Sequence, residues 1–169
     1  MRDMSDGSHA SQVRFRIRPM MRCDLKRVVA IEAVCFGREA WPRQAFTDLL
    51  RAFAQARPSR GGLWVAEDRD TGEILAYAGI EESALKGEAD IINIAVAERY
   101  RRRRIGRELL EWIVRHCRRR GVEMLWLRVR ASNVSAQRFY RAIGFQECGR
   151  FNGYYRDPAE PAILMAMDL

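Results

Sequence analysis

The spacing of apolar side chains changes period along the chain, and each change predicts an element. Arg14-Phe15-Arg16-Ile17-Arg18 alternates with the period of two of a half-buried strand, which Pro19 ends. Asp24 is placed as the N-cap of a short helix whose apolar positions are Leu25, Val28, Val29 and Ile31. A second helix opens at Trp41-Pro42, with proline in its tolerated first turn, and its stripe is Phe46, Leu49, Leu50 and Phe53. Leu63–Glu67 and Ile74–Ile80 read as strands joined by the turn Asp70-Thr71-Gly72. Asp90–Val96 is a further strand rich in Ile and Val.

Helical periodicity is most marked from Ile105 to Arg120, where Ile105, Leu109, Leu110, Ile113, Val114 and Cys117 share one face. Glu111 and Arg115 are spaced for an i,i+4 pair, and Gly121 supplies the stop. Met124–Val129 follows as a strand, Asn133–Ile143 as a helix, and Phe145–Arg150 and Ala162–Met167 as closing strands. The order β-α-α-β-β-β-α-β-α-β-β places one parallel pair inside an otherwise antiparallel sheet. The expected fold class is α+β, a mixed, mainly antiparallel twisted sheet with helices on both faces. Residues 1–12 read as a mobile polar tail and 13–169 as a single domain, with no repeat and no dividing linker.

Composition narrows the function classes. At 169 residues with 48% apolar side chains, the chain can bury a real core. No apolar run approaches the roughly 20 residues that span a bilayer, and the first residues lack the apolar centre of a secretory signal. Four cysteines stand far apart beside only two histidines, so no metal site is expected. They are read as mostly buried thiols of a reducing, cytoplasmic compartment. The formal charge of +8, dominated by arginine, suits a polyanionic partner, either cofactor phosphates or nucleic acid.

Position decides which. Strand Asp90–Val96 runs through Ala97–Arg104 into the helix that starts at Ile105-Gly106. A helix start presents unpaired N–H groups and the positive end of its dipole, which together bind phosphate. Arg101-Arg102-Arg103-Arg104 adds four cations at that spot, the alternative being a solvated basic turn.

Ile94-Ala95-Val96, Tyr100 to Gly106, Leu125-Trp126-Leu127, Val129-Arg130-Ala131-Ser132-Asn133, Phe139-Tyr140, Gly144-Phe145 and Tyr154-Tyr155 together resemble the GNAT superfamily of N-acetyltransferases. Within it they resemble the RimI-type ribosomal-protein alanine acetyltransferases, and the likeness runs from about residue 14 to 169. It implies acetyl-CoA as co-substrate, with backbone groups of Ile94, Ala95 and Val96 on the pantetheine. The N–H groups from Arg102 through Arg103, Arg104, Ile105 and Gly106 to Arg107 would lie on the pyrophosphate, beside Arg101, with Asn133 on the cofactor arm. Tyr140 matches the family's proton donor to the departing thiolate; a phenol of pKa about 10 suits a thiol of about 8.5. Tyr140 also reads as a core aromatic, and Asn133 as a helix N-cap. Tyr154 and Tyr155, in the turn before the last strand, match acceptor-slot tyrosines or read as plain turn aromatics; Trp41 and Phe36 are a candidate opposite wall or aromatics that only cover core.

Two positions depart from the pattern. Arg104 stands where the loop's first glycine belongs, which implies a left-handed arginine turned outward or toward phosphate. Arg128 stands where the RimI-type enzymes carry a glutamate base, and a guanidinium accepts no proton. Alternation puts Leu125, Leu127 and Val129 on one face and Trp126, Arg128 and Arg130 on the other. Asp90 matches the base of histone-type members and is placed on one face with Ile92, Ile94 and Val96; the alternatives are a carboxylate paired with a nearby arginine and, for the proton, a water wire to backbone carbonyls.

The resemblance therefore implies direct acetyl transfer to a primary amine in a ternary complex. The acceptor it favours is a protein N-terminus, possibly that of a ribosomal protein, with nucleic acid involved only through ribosome association and no membrane partner. The rival readings are a non-catalytic CoA-binding or ribosome-associated module and a small-molecule amine acetyltransferase.

Overall fold

The computed structural model describes residues 13–56, 60–83 and 87–169, so the tail read at 1–12 lies outside the described residues. Seven strands form one sheet: β1 (Phe15–Pro19), β2 (Gly61–Asp68), β3 (Ile74–Glu82), β4 (Glu88–Val96), β5 (Met124–Arg130), β6 (Gln146–Arg156) and β7 (Ala159–Asp168). The helices are α1 (Leu25–Phe36), α2 (Arg43–Gln55), α3 (Ile105–Arg119) and α4 (Val134–Arg141). Strand order is β1-β2-β3-β4-β5-β7-β6, and only β4 with β5 is parallel, as a helix between two neighbouring strands requires. Among the described residues, no helix is long and apolar enough to cross a membrane.

Each face of the sheet buries its own cluster. Leu25, Val28 and Ile31 of α1 and Phe46 of α2 pack on Leu63, Val65, Tyr77 and Ala95. On the other face, Ile105, Leu109, Leu110, Ile113 and Cys117 of α3 pack on Leu75, Ala78, Ile91, Leu125 and Leu127. Burial along β5 alternates as expected, with Leu125, Leu127 and Val129 inside.

Several expectations are corrected. Asp24 makes no side-chain cap to α1; its carboxylate instead accepts from Arg18 at 2.7 and 2.9 Å and from the Met21 N–H. The arginine offers a charge-assisted partner that a capping N–H cannot match. Glu111 pairs with Arg107, one turn earlier in α3, at 2.9 Å. Only Cys117 is buried, while Cys23 and Cys148 are exposed, because they fall on polar faces; all four are free thiols.

Arg18 also holds Glu67, at 2.9 Å, and with Arg16 it draws the Glu67 carboxyl down to about 2. A carboxyl depressed in the folded state stabilises it above the unfolded value near 4.5 and loses that contribution as pH falls toward 2. The expected result is a thermal midpoint that declines across this window, and less steeply in Glu67→Gln. Identical acid profiles for the two proteins would contradict the pairing.

Candidate active site

β4 and β5 hold together for four residues only, from Glu88 opposite Met124 to Ile91 opposite Leu127. Beyond that the strands part, and the inner edges of Ile92–Val96 and Arg128–Arg130 face an opening. The register between β3 and β4 slips at the same point: Ile80 opposes Ile91 and Gly79 opposes Asn93, so Ile92 is an extra residue. A bulge of this kind bends the strand and re-aims the side chains after it.

That bulge corrects the strict alternation expected for this strand. Ile94 and Val96 pack with α3, whereas Ile92 and Ala95 pack with α1 and α2, and Asn93 meets Glu32 of α1. Asp90 lies in register with Trp126 and receives a 2.7 Å hydrogen bond from Arg128. The residue considered as an alternative base is thus the ion-pair partner of the arginine at the glutamate position.

At the far end of β4 the basic loop does not converge on one point. Arg101 turns back, its guanidinium 3.4 Å from the Val96 carbonyl and 3.3 Å from Cys35 Sγ. Arg103 and Arg99 stack on the Tyr100 ring at 5.7 and 5.0 Å, and the Tyr100 hydroxyl donates to Glu73. Arg102 and Arg104 have φ of 60° and 64°, the left-handed region that favours glycine, and both are exposed. This geometry turns the loop into α3 and leaves the N–H groups of Ile105, Gly106 and Arg107 without helical acceptors. Gly106 is needed for close approach, since a Cβ there would sit 3.1 Å from Val96 Cγ2. An opened strand edge leading to a helix start ringed by cations fits an extended thioester cofactor with a phosphorylated end.

Left-handed arginine costs about 1 kcal/mol. Arg104→Gly is therefore expected to raise the melting temperature by about 2–4 °C, and Arg104→Val, whose branched side chain tolerates positive φ worst, to lower it. A melting temperature that falls in Arg104→Gly would show that the arginine side chain outweighs its backbone strain.

The opposite wall of the opening comes from β5 and α4. Asn133 caps α4 by accepting from the Ala136 N–H at 3.0 Å, and its amide nitrogen carries further donors. Gln137, buried, donates to the carbonyls of Arg130 and Ala131 and so fixes the turn between β5 and α4. Tyr140 is 9% exposed and packs edge-on to Phe145 at 5.9 Å. Burial, and the nearby Tyr155, push its phenol well above the ordinary value near 10.

Tyr154 and Tyr155 lie within β6, not in a turn, because Tyr155 pairs with Glu160 across a short connection. Tyr154 is 51% exposed, whereas Tyr155 lies under the Arg130 guanidinium at 4.1 Å and is pushed up to about 12 by burial. Arg130 also pairs with Glu39, before α2, and with Glu160, while Arg38 meets Asp157 at 2.8 Å. The α1–α2 connection is thereby tied across the opening to the β6–β7 hairpin. Phe36 is exposed there, while Trp41 turns inward on Phe46 at 5.7 Å.

Glu32, Glu39, Gln137 and Glu160 escaped the reading of the sequence. Glu32 had a signal: it falls one and two helical turns after Val28 and Leu25, a carboxylate in an apolar stripe. Glu39 and Glu160 had none, since only the fold brings the loop, β5 and β7 together.

The comparisons with known proteins agree with this geometry. Residues 25–145 match the acetyltransferase (GNAT) family model. A [ribosomal protein bS18]-alanine N-acetyltransferase of Escherichia coli is 44% identical over 100 residues, 58% of this chain and 66% of that protein, just under two thirds of its length. N-alpha-acetyltransferase RimI of Mycobacterium tuberculosis is 33% identical over 152 residues, covering 88% of this chain and 89% of that protein. The crystal structure of the ribosomal-protein-S18-alanine N-acetyltransferase from Escherichia coli superposes with a TM-score of 0.77 at 31% identity, over 92% of this chain and 94% of that one. The parted strands, the basic loop at the start of α3 and these matches establish that the chain belongs to the acetyltransferase (GNAT) family, with RimI-type enzymes among its relatives.

Proposed function

We propose that this protein transfers the acetyl group of acetyl-CoA to the α-amino group of a protein N-terminus, in the cytoplasm, with a ribosomal protein as the favoured acceptor. The observation that carries the reading is the opening between β4 and β5, one end on the basic loop and the other on a slot lined by carboxylates. Acetyl-CoA supplies an activated acyl group as a thioester. Backbone groups of Ile94 to Val96 orient its pantetheine arm, the N–H groups of Arg102 to Arg107 take the pyrophosphate, and Asn133 contacts the arm from the other wall. Tyr140, held protonated by burial, donates to the departing sulfur.

The acceptor side differs in charge from the cofactor side. Arg128 and Arg130 are matched by Asp90, Glu39 and Glu160, and Glu32 lies buried behind them. Three carboxylates against these two arginines leave the slot close to neutral, in contrast to the basic loop at the other end of the opening. An α-amine, with a pKa near 7.7–8.0, has a sizeable neutral fraction at pH 7, whereas lysine near 10.4 does not. With Arg128 in place of glutamate and Asp90 engaged by it, the reading is that the enzyme captures amine already neutral.

Release of CoA thiol with a panel of N-terminal peptides, lysine peptides and small amines tests the acceptor class; turnover with lysine peptides or polyamines alone would overturn it. The pH dependence tests the base. We expect kcat/KM to follow the acceptor's own pKa and Asp90→Asn to cost less than about tenfold. Arg128→Glu is expected to raise turnover below about pH 7.5, where neutral amine is scarce. A loss beyond tenfold in Asp90→Asn, with folding and acetyl-CoA binding intact, would assign the base to Asp90.

A further inference from the structure

Glu32 stands in the middle of α1, only 1% exposed, and every donor found on its carboxylate is uncharged. The Trp41 N–H donates to Oε1 at 2.9 Å, the Tyr77 hydroxyl donates to Oε2, and Asn93 Nδ2 lies 3.1 Å from both oxygens. Burial raises its pKa against these donors, so the site accommodates a carboxylate at a cost. A carboxylate kept under a helix without a cation needs a reason beyond packing, since an apolar side chain in the same stripe would fill the space more cheaply.

Its partners supply the reason. Trp41 ends the connection that Glu39 ties to Arg130 and Arg38 ties to Asp157, Tyr77 lies at the centre of β3, and Asn93 is the first position after the β4 bulge. Asn93 is therefore the side chain that reports the bulge to the helical layer, and Ile94 to Val96, which follow it, form the free edge of the opening. Removing the carboxylate would free Asn93 to rotate and let the bulge relax toward regular pairing, closing the edge by part of a residue. Gly79, opposite Asn93, leaves room for the extra residue, since a Cβ there would sit 2.6 Å from Leu63 Cδ2 and 3.1 Å from Ile92 Cγ1.

We infer that Glu32 is a positioning residue of the transfer site: through Asn93 it sets the β4 bulge, and through Trp41 it sets the connection tied across the opening. The inference rests on the acetyltransferase reading above. The role differs from that of Tyr140, because Glu32 has no exposure to either substrate.

The test compares Glu32→Gln, Asn93→Ala and the double variant for kcat, peptide KM, melting temperature and acetyl-CoA Kd. Each single variant is expected to lower kcat by about 10- to 100-fold, the size of effect that a small misplacement of reacting groups produces. Acetyl-CoA Kd should rise by less than kcat falls, since the edge at Ile94 to Val96 shifts while the loop from Arg102 to Arg107 keeps its place, and the double variant should lose no more than the worse single, as residues acting as one unit do. A stabilising role alone would lower the melting temperature and leave kcat, measured well below that temperature, within about twofold; this result overturns the inference. Losses that multiply in the double variant overturn it too. Should Glu32→Gln not fold, Asn93→Ala decides, because Asn93 is only half-buried. A wild-type protein that binds acetyl-CoA but acetylates no amine would remove the proposed function and this inference together. An active wild type with unaffected variants removes the inference alone.

Discussion

Tyr140→Phe is expected to lower kcat by about 10²- to 10⁴-fold with little change in KM for acetyl-CoA. The substitution keeps the ring that packs on Phe145 and Phe139, so the α3–α4 face should remain intact, and removes only the proton. Because burial raises the phenol above its ordinary value, Tyr140 stays protonated throughout neutral and mildly alkaline pH. The wild-type profile should then show no loss of turnover from this residue below about pH 10. Turnover at the wild-type level in a folded Tyr140→Phe protein would leave the sulfur without this donor. A new alkaline decline in wild type near pH 8 would point to a different acid.

Reversing Arg102 and Arg103 to glutamate is expected to abolish stabilisation by acetyl-CoA. A ligand at a hundredfold excess over Kd stabilises the folded state by about 2.7 kcal/mol, which for a chain of this size reads as roughly 5–10 °C in melting temperature. The wild-type protein should show that shift and the reversed loop should not, since two charges change sign, a net change of four units, beside the helix start proposed to bind phosphate. Arg101 folds back on Val96 and Cys35, so it does not substitute for them. The wild-type shift should also shrink as salt is raised, since exposed arginines are screened within about 10 Å at 0.1 M. A shift of wild-type size in the double reversal would move the cofactor phosphates away from this loop.

The order of elements was legible because hydrophobic period is local. Ile105 to Cys117 repeats with the helical period and folds as α3, and Phe15 to Pro19 alternates and pairs as β1. The single parallel pair followed from one helix standing between two strands, and the basic run was placed at a helix start before any coordinates. Even the left-handed arginine at 104 was readable, since the sequence carries a side chain at a position whose turn requires positive φ.

Side-chain direction past the β4 bulge was not legible. A bulge inserts one residue, and from there every alternation argument points the wrong way; which of two neighbouring Ile residues is extra depends on the pairing with β3, where Ile80 meets Ile91 and Gly79 meets Asn93. The same holds for charge. Arg128 read as a lost base, yet its meaning in the site comes from Asp90, brought beside it by the parallel register. Arg130 read as one more cation, yet Glu39 and Glu160 converge on it from a helix connection and from β7. Sequence by itself determined the elements, their order and the basic loop at the start of α3, because each rests on residues within a few positions of one another. Tertiary structure alone decided the charge balance of the acceptor slot and the place of Glu32, because both depend on partners that meet only after the sheet has closed its register.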